Sequence, residues 1–119
     1  MANKHQLEAK ADDVMASAEQ ADTTVQQFCI LWSGIIKPAL DLVKSFTGPK
    51  VDQQIDKLEK AADELCDGTN PDVKNYCLYW NTFHIKSLLK LVEIFTGPKV
   101  DKVINKFIAI SDSLCEPQP

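Results

Sequence analysis

Four cysteines, two tryptophans and one mid-chain histidine are the residues of this 119-residue chain whose types and spacing could do chemistry. Cys29, Cys66, Cys77 and Cys115 could form disulfides, hold zinc or an iron–sulfur cluster as four thiolates, or pack as small apolar groups. Successive cysteines are 37, 11 and 38 positions apart and none forms a C-x-x-C knuckle, which weighs against a metal. Trp32 and Trp80 each follow a cysteine by three residues, on one helical face. Either the indoles cover sulfur bridges in a core, or Phe28, Trp32, Tyr76, Tyr79, Trp80, Phe83 and His84 make an aromatic mouth at the cysteine end. Such a mouth could receive an apolar ligand or a partner's side chain. No serine–histidine–acid set and no glycine-rich phosphate loop can be named, so the reading is of a non-enzyme without a cofactor. The pairs Asp12-Asp13 and Asp63-Glu64 read as surface charge.

These residues need elements to position them, and a repeat supplies the pattern. Residues 28–32 read Phe-Cys-Ile-Leu-Trp and residues 76–80 Tyr-Cys-Leu-Tyr-Trp, 48 positions on. Residues 46–52, Phe-Thr-Gly-Pro-Lys-Val-Asp, recur unchanged at 95–101, and Cys66 and Cys115 keep that offset of 49. The chain is an internal duplication. Apolar residues at Phe28, Trp32, Ile35, Ala39, Leu42 and Phe46 alternate steps of three and four, one face of an α-helix. Val51, Ile55, Leu58, Ala62 and Leu65 do the same after the turn, matched by Val100, Ile104, Phe107, Ser111 and Leu114. Gly48 and Gly97 are suited to a left-handed helix end, with Pro49 and Pro98 pre-set for the next first turn. Asp52 and Asp101 follow near a helix N-terminus.

The spacing thus predicts helices near 23–46, 50–66, 71–95 and 99–115, in an all-α, up-down bundle of two tandem helical hairpins plus an N-terminal helix. One domain covers 1–119: the N-terminal helix over 1–22, repeat one over 23–67 and repeat two over 71–116. Asp22 and Asn70 are candidate N-caps, Pro71 a first helical residue, and Thr23 with Gln26 a capping box. Residues 1–22 form either a separate helix docked on the bundle or a continuation of the next one. Between tryptophan and lysine the copies differ by one residue, Trp32 to Lys37 against Trp80 to Lys86. This predicts a π-bulge or local distortion around Asn81–Ile85 and a bend at Gly34–Pro38.

In an antiparallel hairpin, residues equally far from the tip stand side by side. Cys29 and Cys66 lie nineteen and eighteen residues from Gly48, and Cys77 and Cys115 twenty and eighteen from Gly97. Disulfides Cys29–Cys66 and Cys77–Cys115 are therefore expected, which points to an extracytoplasmic or secreted protein. No signal-peptide stretch is present in the chain as given.

A net charge of −4 with no arginine among thirteen cations weighs against nucleic acid. The most apolar window, 76–95, carries Asn81, His84, Lys86, Lys90 and Glu93, too polar for a membrane span. Ile30, Leu31, Ile36 and Leu40, with Leu78, Ile85, Leu89 and Ile94, lie off the main apolar stripes. The expected function is a stapled interaction module docking a partner protein or itself through apolar surface on the first helix of each repeat. The alternatives are a carrier of a small apolar ligand or lipid, and a four-thiolate metal protein.

Overall fold

A computed structural model describes residues 4–67 and 73–115, with side chains from Gln6 onward. The chain is an all-α bundle: α1 (Lys4–Glu19), α2 (Thr24–Leu31), α3 (Lys37–Lys44), α4 (Pro49–Asp67), α5 (Val73–Thr82), α6 (Ile85–Phe95) and α7 (Pro98–Cys115). A π-helical turn, Trp32–Ile36, joins α2 to α3 without a break. No strand occurs among the described residues. Asn70, Pro71 and the connector from Gly68 lie outside them.

The two disulfides are Cys29–Cys66 and Cys77–Cys115, with Cα atoms 5.5 and 5.3 Å apart. Each half doubles back at its Thr-Gly-Pro turn, and a bridge joins its two far ends. All four sulfurs are consumed, so no thiolate remains for a metal. Among the described residues no cluster of histidines, cysteines and acids could hold one.

The tips form by a different route from the one the glycines suggest. Neither Gly48 nor Gly97 is left-handed. Each precedes the proline that opens the next helix, and its carbonyl accepts the N–H of Asp52 or Asp101 at 3.0 and 3.1 Å. The glycines are thus N-caps of α4 and α7, with proline at the first helical position. The Thr47 hydroxyl lies against the Val43 carbonyl and the Asp52 carboxylate, as Thr96 does against Val92 and Asp101. The threonine hydroxyl and the aspartate carboxylate of each tip are therefore paired within the tip.

The one-residue mismatch is absorbed differently in the two copies. In copy one, the π turn sends the Lys37 N–H to the Trp32 carbonyl, five residues back. In copy two, α5 ends, His84 turns left-handed at φ 55°, and α6 begins afresh. The distortion expected at Asn81–Ile85 is present there as this break, whereas the π geometry belongs to copy one. Both devices serve one contact. Trp32 Nε1 donates to Asp63 Oδ1 at 2.9 Å and Lys37 Nζ to Oδ2 at 2.7 Å. Trp80 and Lys86 grip Asp112 in the same way, at 3.0 and 2.6 Å. In an unbroken α-helix, residues five or six apart stand about 140° or 240° around the axis, so one carboxylate could not serve both groups. The π turn and the left-handed residue realign them.

Helix α1 and the residues after it, 4–22, do not continue the next helix. Thr23 caps α2 by accepting the Gln26 N–H at 3.1 Å, while Gln26 Oε1 accepts the N–H groups of Asp22 and Thr23. This breaks the chain and folds α1 back across α2, the π turn and α7. Leu7, Ala11 and Ala18 are buried under it. Gly34 permits the approach, since a Cβ there would lie 2.6 Å from a Val14 methyl. Glu8 caps the far end of α7 by accepting the Val100 N–H at 3.0 Å, and a Cβ on Gly97 would lie 1.8 Å from that carboxylate. Asp12 pairs with Lys99 at 2.9 Å. The seat related to it by the duplication differs at both walls: Thr82 of copy two stands where Gly34 does, and Gln54 of copy one takes the place of the fully buried Val103.

Each bridge closes a loop with a separation of 37 or 38 residues. Replacing Cys29 and Cys66 by serine should lower unfolding free energy by about 4 kcal/mol in the chain-entropy limit. Urea melts of the variant and the parent measure this.

Candidate functional site

The aromatic residues expected to form a mouth at the cysteine end instead fill the core. Phe28, Trp32, Tyr76 and Trp80 are buried around Phe107. Phe28 meets Tyr76 edge-on at 5.0 Å, and the Tyr76 hydroxyl lies 3.0 Å from Ser111 Oγ. Burial pushes the Tyr76 phenol well above its ordinary pKa. Tyr79 and Phe83 stack on each other at 5.2 Å, half-buried beside this cluster. His84 is exposed at the helix break. The structure therefore brings Phe28, Trp32, Tyr76 and Trp80 together as packing, and no described cavity opens on them. The reason is geometric: the helical face that carries each cysteine toward its partner is the face turned inward, and its tryptophan must follow.

A cavity lies at the opposite end. Where α3 and α6 run out toward the tips, they leave between them a half-open cleft of about 500 Å³. Its walls are Leu42, Val43, Phe46 and Thr47 from copy one, and Leu91, Val92, Phe95 and Thr96 from copy two, with Leu88 below. The only side-chain polar groups in the lining are the two threonine hydroxyls, already engaged by backbone carbonyls and aspartates. The cleft thus has apolar walls and no side chain waiting for a hydrogen bond. Phe46 and Phe95 stand at its rim, 82% and 70% exposed.

Comparison of the copies through this stretch sets most of the lining apart from its surroundings, although Leu88 lines the cleft against Ala39 and the matched Leu40 and Leu89 do not line it. Leu42, Val43, Phe46 and Thr47 correspond to Leu91, Val92, Phe95 and Thr96, four identities, and all eight line the cleft. Asp41, Lys44 and Ser45 correspond to Lys90, Glu93 and Ile94, three differences, and none of these lines it. Turn chemistry accounts for the threonine, glycine, proline and aspartate of the repeated heptapeptide. It does not call for a phenylalanine held in water on both tips.

A cluster of paired charges around Lys44 flanks the site in copy one. Lys44 Nζ lies 2.7 Å from Asp56, 3.1 Å from Glu59 and 3.1 Å from Asp41. Burial, reinforced by Asp41, raises the Glu59 carboxyl to about 7, and its Oε2 is buried with no hydrogen-bond partner. In copy two the corresponding positions are Glu93, Asn105, Ile108 and Lys90. Glu59 does not line the cleft, and the cluster is a local compensation for a charge buried between α3 and α4. Asp63 and Asp112, which look like ordinary surface acids in the sequence, are the carboxylates that anchor each tryptophan. Their shared offset of 49 is the signal that could have identified them.

Searches with protein-family models, among curated proteins and among solved structures found no match to this chain.

A carboxyl held above its unfolded value binds protons more tightly in the native state, so its contribution to stability is complete below pH 4.5 and is lost as pH rises to about 7. Glu59→Gln should flatten this decline and raise stability at the alkaline end, by on the order of 1–3 kcal/mol. Urea midpoints of parent and variant across the window would measure it; equal slopes would refute the assignment.

Proposed function

We propose that this chain is a non-catalytic, exported carrier of a small apolar ligand, held in the cleft between the two tips. One observation carries the reading: eight of the nine lining residues form four pairs identical between the copies, Leu88 against Ala39 being the exception, while Asp41, Lys44 and Ser45 beside them have diverged. The volume of about 500 Å³ falls in the range of small-molecule sites. Because its polar side chains are already satisfied, the cleft favours a guest that brings no hydrogen-bonding group of its own into it. A hydrocarbon segment meets that requirement, with any polar end directed through the open side.

Export is supported by two disulfides, which persist in oxidising compartments. Among the described residues no helix is long and apolar enough to cross a membrane. The same surface also supports docking of an apolar side chain from a partner protein, a reading favoured by the rim position of Phe46 and Phe95. The two readings part on the size of the guest.

Fluorescence titration with a soluble alkyl-chain fluorophore tests the carrier. Binding at one site per chain is expected. Leu91→Asp, at a half-exposed wall position where the fold tolerates change, should weaken binding about tenfold or more by leaving a charge unpaired in an apolar site. Absence of saturable binding by the parent chain would sink the carrier and leave partner docking.

A further inference from the structure

Apolar exposure on this molecule is concentrated in one place. Six large apolar residues are exposed among the described positions, and four of them, Phe46, Leu91, Ile94 and Phe95, lie at the tips around the cleft. Three of those line the cleft, so a ligand would account for them. Ile94 does not line it, is 72% exposed, and takes the place of Ser45 in the other copy. It serves neither the turn nor the cavity.

We infer that the tips are a shallow membrane-contact surface, through which the cleft takes its ligand from a zwitterionic bilayer. The inference rests on the carrier reading and adds the partner. Phe46 and Phe95 stand on separate tips with a gap between them. A folded protein would have to match two knobs and a gap, whereas a fluid interface conforms to them. The gap opens between the knobs, so hydrocarbon leaving the bilayer enters the cleft without crossing water. The hydroxyls and carboxylates of the turns are already paired within each tip, which lowers the cost of bringing the tips to the headgroup layer. Lys50 follows its proline, where a long apolar stem can lie along the interface with its ammonium group at headgroup level, whereas Lys99 is held by Asp12.

Charge selects the kind of bilayer. The helices that lead into or out of the tips, α3, α4, α6 and α7, carry ten lysines and ten acids between them, so no net charge is directed at the surface. Contact is therefore driven by apolar side chains and gains nothing from anionic lipid. It should be insensitive to salt.

Flotation of the full chain with phosphatidylcholine vesicles provides the test. The parent should float with the vesicles at low and high salt, and adding phosphatidylglycerol should not increase the bound fraction. Ile94→Ser should reduce partitioning about tenfold, as expected for removing a large aliphatic group from an interface. Leu78→Ser, which removes an apolar side chain 59% exposed but away from the tips, should leave flotation unchanged. In vesicle-free buffer, Ile94→Ser should bind the alkyl fluorophore as the parent does. If the parent fails to float yet binds the fluorophore, the membrane inference falls and the carrier stands. If it floats yet binds no fluorophore, the carrier falls and the tips remain a membrane contact. Flotation only with anionic lipid, or a concentration-dependent dimer in sedimentation that Ile94→Ser dissolves while the parent ignores vesicles, would overturn the inference.

Discussion

Sulfur bonded to sulfur at the far end of each half fixes how the rest of the molecule can be arranged. Cys29 must reach Cys66 and Cys77 must reach Cys115, so each half returns on itself, and the helical face carrying each bridge turns inward. The tryptophan three residues on is then buried with it, and the aromatic cluster around Phe107 fills that end of the bundle. A chain this small cannot bury its whole apolar content. With one end cross-linked and packed solid, the unsatisfied remainder appears at the other, where α3 and α6 leave a cleft instead of a seam.

The duplication shows which features tolerate drift. A one-residue difference between tryptophan and lysine would put one lysine on the wrong side of its helix. Copy one meets it with a π turn and copy two with a left-handed histidine, and both recover the same carboxylate grip. Contact geometry survives here while backbone geometry changes. The N-terminal helix makes the opposite point. It seats on one side only, because Gly34 leaves room for Val14 and Gly97 for Glu8, and copy two has threonine in place of the first glycine. Two glycines of the same motif thus differ in duty: Gly48 faces open space, and Gly97 makes room for a carboxylate.

That asymmetry sharpens the meaning of the cleft. Elsewhere along α3 and α6 the copies have exchanged charges, Asp41 for Lys90 and Lys44 for Glu93, with separate ion-pair arrangements in each. Freedom of that kind did not extend to Leu42, Val43, Phe46, Thr47 or their counterparts. An exposed phenylalanine on each tip costs solubility and contributes nothing to its turn. Its place at the mouth of an apolar cavity supplies a physical reason for keeping it.

The helices, the doubling back and the bridges could be read from residue order alone, because each rests on local period or on equal distance from a turn. The Thr23–Gln26 cap was legible because it is written within a few consecutive residues, and the distortion before Ile85 because the two copies fall out of step there. Tertiary structure decided what surrounds each face. The expected mouth of Phe28, Trp32, Tyr76 and Trp80 proved to be core, since periodicity marks an apolar stripe without saying whether water or another helix lies against it. The cleft was legible only in part: apolar surface was expected on the first helix of each repeat, but not its gathering at the tips. Its residues were read as stripe and turn, and only the separation of α3 from α6 near the tips, set by how two distant halves pack, turns identical side chains into the walls of one site.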